Sequence, residues 1–401
     1  MITSGEKLDL VNASARTTFS SDVTSNKLLG LDEETVRKYA PDAMEVIGDY
    51  MEATTVDGKI YGFPTIRDMA SAYGLILRND IIEKYGIDAD AGLTVEQLDD
   101  LFARIKEGEP DKYVTQPQSQ GTSILESLFK TYDGLGDTMG VLMDWGQGDL
   151  TVQNLFDTEY YEECVRKARE WNEKGYILPD ASTNPDTGVA YFKTGKVAST
   201  MSLIHPGVPT DSTNMTGIPC STAIVNPAFG NTQTVGAVIQ SIPVSCKNPE
   251  KVLEFVNLLY SDAEVYNALV WGIEGTHYQH VKGSEKWITY PDGVTGETSG
   301  YTLSATYAFG NRYLSYIWNT DPEDLNEKYE EFNDNAIKSK ALGFVFDTTP
   351  VKAEAAAVQA VMDEYRLPLE NGVIDPDENL PKFRQALTVS YTHLTLPTNS
   401  L

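Results

Sequence analysis

The sequence predicts an α/β fold divided into two lobes, with mainly parallel sheets flanked by helices. Three observations predict it. The chain has 401 residues, more than one hydrophobic core usually organises. Strand-like and helix-like hydrophobic patterns alternate along it. The helical patterns open on capping signals at the offsets that helix N-termini require.

Taken in order, Met1-Ile2-Thr3-Ser4-Gly5-Glu6 reads as the end of a helix stopped by Gly5. Leu8, Asp9, Leu10 and Val11 follow as a buried strand, which in a parallel sheet wants a further strand and crossover helix upstream. Tyr73-Gly74-Leu75-Ile76-Leu77 is a strand, and Asn79 is expected to cap a short helix that stops at Gly86. Thr94 and Gln97 form a capping box, with Leu93 and Leu98 as a hydrophobic staple. Leu98, Leu101, Phe102 and Ile105 then recur at helical spacing as one buried face. A helix over 159–174 carries Tyr161, Cys164, Val165, Ala168 and Trp171 on one side and ends at Gly175. Residues 191–198 read as a short helix, a turn and a strand, and 205–235 as loop. Regular structure resumes at Ala237-Val238-Ile239, with Pro243 as a crossing point between lobes. Pro249 starts a helix with the stripe Val252, Phe255, Val256 and Leu259.

Composition removes several function classes. Lys plus Arg number 31 against 59 Asp plus Glu, a formal charge of -28. Phosphates and anionic membrane surfaces are held by the opposite balance. The acidic runs, such as Asp32-Glu33-Glu34 and Glu330-Glu331, read as solvated faces. No stretch approaches the roughly 18 apolar residues of a membrane-spanning helix. Cys164, Cys220 and Cys246 lie too far apart for a Cys-x-x-Cys redox motif or a thiolate zinc site.

Catalytic motifs are missing too. There is no nucleophile elbow, no His-Glu-x-x-His and no phosphate-binding Gly loop with its Lys. His277 and His280, three apart, lack a third ligand and read as a surface turn, so neither metal nor cofactor is expected. Aromatic and amide-rich loop segments stand out instead. They are Gly62 to Asp68, Trp271-Gly272-Ile273-Glu274-Gly275, and Phe309 to Trp318. Aromatic faces beside hydrogen-bonding groups suit a neutral polar ligand such as a saccharide, though any single aromatic could equally be core. The expected ligand-binding residues are Arg67, Asp68, Trp271, Glu274, Asn311, Tyr313, Tyr316 and Trp318, with no catalytic residue among them.

Those segments also carry a resemblance. Val56-Asp57-Gly58-Lys59-Ile60-Tyr61-Gly62-Phe63-Pro64 is similar to the family 1 extracellular solute-binding proteins of ABC importers. So, in order, are YGLILRNDIIEKYGID, NEKGYILPD, YFKTGKVA, SCKNPEKVLEFVNLLYSD, WGIEGTHY and FGNRYLSYIW. GFVFDTTPVKAE and DPDENLPKF point to a lipoprotein subgroup with a DUF3502-type C-terminal region.

The resemblance implies a periplasmic-binding-protein-like fold with a ligand cleft between two lobes. They are expected at 1–113 with 243–300 and at 114–242 with 301–387. It implies a receptor rather than an enzyme, closing on a saccharide, or secondarily a peptide, and handing it to ABC permease subunits. It also implies a cell-surface lipoprotein, whose signal peptide, lipobox cysteine, first strand and first helix would precede Met1. The uncharged residues 388–401 depart from the family pattern and are expected to be a dispensable, non-native tail. Two other readings remain: a sensory receptor of the same fold, and a glycosidase, for which Asp68 and Glu274 would have to stand about 5–10 Å apart.

Overall fold

The computed structural model describes residues 7–391 except 120, 137–138, 184–185, 187 and 302–304. The readings for residues 1–6 and 392–401 therefore lie outside the described residues. The chain forms two compact units, Met1–Ser71 with Ala228–Val345 and Ala72–Pro227 with Phe346–Leu401. The crossings fall at 71, 227 and 345, where the sequence placed them at 113, 242 and 300. Packing explains the difference. Leu75 and Leu77 share one core cluster with Leu98, Phe102, Trp171 and Phe383, which draws their strand and the capped helix into the second unit. Pro243 stays in the first unit, bridging to Leu28.

In the first unit, strand Ile239–Ser241 lies between Val11–Ala13 and Phe63–Pro64, antiparallel to both. Helix Glu33–Tyr39 is capped by Asp32, whose carboxylate accepts from the Thr35 N–H at 2.8 Å. That bond holds the Asp32 carboxyl below its usual pKa. Val36, Ile47, Phe63, Leu253, Val256 and Leu259 form the core. Helix Pro249–Ser261 buries Val256 and Leu259 of the predicted stripe together with Leu253 and Tyr260, while Val252 is partly buried and Phe255 is exposed. The Tyr260 hydroxyl, donating to the Pro64 carbonyl at 2.8 Å, turns the buried face toward its own side.

The second unit pairs Ser71–Arg78 antiparallel with Ser199–Ile204 and places Cys220–Gly230 on the other flank. Gly74 permits this approach, since a Cβ there would meet the Ala223 carbonyl oxygen at 2.2 Å. Helix Val95–Gly108 carries the predicted capping box and buries Leu98, Leu101, Phe102 and Ile105. Helix Glu159–Glu173 buries Tyr161, Cys164, Val165, Ala168 and Trp171 as read from its spacing. Phe102 and Phe129 pack on Trp171 at 4.9 and 5.3 Å, and the Trp171 indole donates to Asp99 at 2.7 Å.

Other expectations are corrected. Asn79 is the first residue of helix Asn79–Tyr85, not its cap, and its side chain accepts from Ser221 Oγ at 2.9 Å. The stretch read as loop contains helix Val208–Thr216 and the 11-residue strand Cys220–Gly230, which runs out of the second unit into the first. Pairing is parallel at Trp287–Thr289 with Ile317–Trp318 and at Ile337–Lys338 with Phe229 and Gly230. The longer ladder of Ser71–Arg78 and both pairings of Ile239–Ser241 are antiparallel. Residues 388–391 continue helix Pro376–Tyr391, in which Leu380, Phe383 and Leu387 are buried.

Candidate functional site

The predicted site residues all fall in the first unit, where they divide into two groups. The first group is fastened into the scaffold. Arg67 is buried, donating from Nη1 to the Asp68 carbonyl and carboxylate, both at 2.9 Å, and from Nη2 to the Thr234 carbonyl. Asp68 keeps about a fifth of its side chain exposed (22%) but is paired to Arg67. Asn311 is buried, donating to the Tyr260 carbonyl at 3.3 Å and accepting from the Tyr313 N–H at 3.0 Å. The Tyr313 hydroxyl accepts from Asn333 Nδ2 at 2.9 Å, and burial pushes that phenol up to about 12. Asn311 and the Tyr313 hydroxyl thus each have a hydrogen-bond partner within the fold.

The second group is a half-buried aromatic layer. Helix Ala263–Val270 starts on Asp262, which accepts from the Glu264 and Val265 N–H groups, and ends at Trp271. Gly272 follows at φ 86°, and a Cβ there would meet His277 Nδ1 at 2.5 Å, so the chain can reverse only through glycine. The Trp271 ring stacks on Trp318 at 5.6 Å with a 22° interplanar angle. Tyr290 meets Trp318 edge-on at 4.7 Å, and His280 meets Tyr316 edge-on at 4.6 Å. Tyr278 lies beneath, 5.7 Å from Tyr316. A small sheet sets these rings: Trp287–Thr289 pairs with Gln279–His280 on one side and Ile317–Trp318 on the other. Trp271, Tyr290, Tyr316 and Trp318 each keep part of their surface open.

Three asparagines hold the loop that supplies Tyr316 and Trp318. Asn267 donates to the Leu314 carbonyl and accepts from the Tyr316 N–H, each at 2.8 Å. Asn333 accepts from the Met69 N–H at 2.8 Å and donates to the Arg67 carbonyl at 2.6 Å. Asn311 is the third. Gly310 makes the close approach possible, because a Cβ there would lie 2.0 Å from the Leu259 carbonyl oxygen. Sequence reasoning missed Asn267 and Asn333. Their signal was an asparagine, a poor helix former, on the apolar side of a helix.

Electrostatics at the layer is acidic. Burial raises the Tyr316 hydroxyl, and the carboxylates of Glu274 and Glu264 raise it further. Burial likewise lifts Tyr278 to about 12, with Tyr316 and Glu274 contributing. Glu274 is exposed in the turn where the Gly275 N–H donates to the Tyr278 carbonyl at 2.7 Å. His277 Nδ1 accepts from the Ile273 N–H at 2.8 Å, a turn-forming role. Among the described residues no group of three or more His, Cys, Asp or Glu side chains could hold a metal ion. Flat apolar ring faces edged by carboxylates can stack on a ligand's C–H surface and accept from its hydroxyls.

The chain is similar to several known proteins. A profile described as bacterial extracellular solute-binding protein matches residues 3–266, and a domain of unknown function, DUF3502, matches 340–390. A carbohydrate ABC transporter substrate-binding protein of Streptococcus pneumoniae is 28% identical over 359 residues, 84% of this chain and 67% of that protein. The crystal structure of an N-glycan transport solute binding protein from the same species has a TM-score of 0.80 at 24% identity, covering 98% of this chain and 85% of the other. An HMO binding ABC-transporter associated solute binding protein from Bifidobacterium longum infantis reaches a TM-score of 0.59 at 13% identity, covering 98% of this chain and 86% of the other.

Proposed function

We propose, on the premise that this chain belongs to the bacterial extracellular solute-binding protein family, that it is the extracytoplasmic receptor of an ABC importer for a di- or oligosaccharide. A receptor of this kind closes on its ligand, and the closed form is what the permease subunits accept. Closure is a population shift, driven by contacts that exist only in the closed state, and it needs no covalent step. The chain works at the cell surface, held there by a lipid anchor, and no helix among the described residues is long and apolar enough to cross a membrane.

The half-exposed layer of Trp271, Trp318, Tyr290 and Tyr316 carries the reading. Solvent-facing rings cost hydrophobic burial that a fold would otherwise take, and pyranose faces are their natural cover. Relatives whose ligands are carbohydrates support the same class. The test is a thermal-shift screen of the full chain against Man1GlcNAc, Man5GlcNAc, kestose and a set of short peptides. A saccharide is expected to raise the melting temperature and to be recovered intact. Stabilisation by peptides alone, or turnover of a bound glycan, overturns the reading.

A further inference from the structure

The second unit holds a cavity that the saccharide reading leaves without a role. Helix Glu159–Glu173 turns Tyr160, Glu163, Cys164 and Lys167 to one side, since residues three and four apart share a helix face. Together with Phe129 and Asn226 they line a cavity of about 370 Å³, wholly within this unit. That is room for one small molecule. Phe129, the Tyr160 ring and Cys164 make its walls apolar. Burial pushes the Cys164 thiol up to about 12, so it stays protonated and serves as wall rather than nucleophile.

The polar groups of the cavity are one-sided. Asn226 is buried (7% exposed), and its Nδ2 donates to the Leu128 carbonyl, which fixes the amide's orientation. Among the described residues nothing donates to its Oδ1, which is nonetheless not sealed from the cavity. Lys167 Nζ is already engaged by Asp99 at 2.7 Å and Glu170 at 2.9 Å. Glu163 is exposed on the same helix face and has no ion pair among the described residues. The cavity therefore presents two open acceptors, one of them charged, while both of its nitrogen donors are occupied.

This arrangement discriminates between ligand classes. A saccharide carries hydroxyls all round, and against these walls most would lose water without gaining a partner. An anion would meet Glu163 with no free cation opposite, in a chain of net charge -28. An apolar body carrying N–H donors and a positive charge matches every feature. We infer that this cavity is a binding site for a small primary amine on an aryl-alkyl body. The ring lies against Phe129 and Tyr160, and the ammonium donates to Glu163 and Asn226 Oδ1. The inference stands independently of the function proposed above.

Isothermal titration of the full chain with phenethylamine, 2-phenylethanol and phenylacetate tests it, because the three share one body and differ in charge. Phenethylamine is expected to bind, the alcohol at least about threefold more weakly, and the carboxylate not at all. Glu163→Gln should weaken the amine by roughly three- to tenfold and leave the alcohol unchanged. Its melting temperature should hold, since the position is exposed. Thr131, which also lines the cavity, offers a filling variant: Thr131→Trp should abolish amine binding. If that variant does not fold, Glu163→Gln decides alone. No heat from phenethylamine on the wild-type chain overturns the inference. So does equal affinity for amine and alcohol, or an amine affinity that Glu163→Gln leaves untouched, either of which would make the cavity a gap in packing.

Discussion

Both units of this molecule gather aromatic residues, and they use them in opposite ways. In the second unit Trp171 is fully buried, met edge-on by Phe102, with its N–H satisfied by Asp99. In the first unit Trp271 and Trp318 stack on each other with ring surface left open. Residue type does not separate these cases, and neither does helical spacing, since Trp171 and Trp271 both sit at or next to a helix C-terminus. What separates them is the surrounding backbone. Trp171 faces a continuous cluster built from several helices, whereas Trp318 stands on a short three-stranded sheet and Trp271 at the end of a short helix stacked on it, both left partly open. An aromatic ring becomes a binding surface where the fold stops short of burying it.

That contrast can be broken at three points. Trp171→Ala should be the most damaging change, costing about 3–5 kcal/mol of stability through the cavity it leaves. Urea unfolding measures this loss, and sugar affinity of the remaining folded fraction should hold. A smaller effect of a different kind is expected at Trp271→Ala: affinity at least about tenfold weaker, some 1.4 kcal/mol or more, with the melting temperature nearly unchanged. A large fall in stability with intact affinity would make Trp271 a core residue like Trp171 and dissolve the distinction. Smallest is Tyr313→Phe, which removes the hydroxyl that accepts from Asn333 and should cost about 1 kcal/mol of stability. Affinity should not move, and a tenfold loss would return Tyr313 to the ligand.

The sequence was most legible where structure is local. The Thr94–Gln97 capping box and the buried faces of Val95–Gly108 and Glu159–Glu173 follow from spacing alone, and the structure has them in place. Legibility fell where distant segments decide. Nothing local says that Ser71–Arg78 joins the second unit, or that a Pro- and Gly-rich stretch contains the strand Cys220–Gly230. The aromatic loops were visible as loops, but the roles within them were not. Asn311 and Tyr313 look as available for a ligand as Tyr316 does until Tyr260 and Asn333 are seen to occupy them. Asn267 went unnoticed because an asparagine inside a helix announces nothing until its partner loop arrives.

The pairing of Ala13 with Ile239 has a consequence in time. The first unit's sheet joins segments more than two hundred residues apart, and the Ala72–Pro227 part of the second unit lies between them. At a synthesis rate of about 5–20 residues per second, Val11–Ala13 waits roughly ten to forty-five seconds on the ribosome before its partner strand is made. Through that interval the residues around Phe63 and Val36 have no Leu253 or Val256 to pack against, and the unit cannot close. Loop closure over such a span also slows refolding of the finished chain. No single cut releases the first unit as a continuous fragment, so its folding history is tied to that of the segment it encloses.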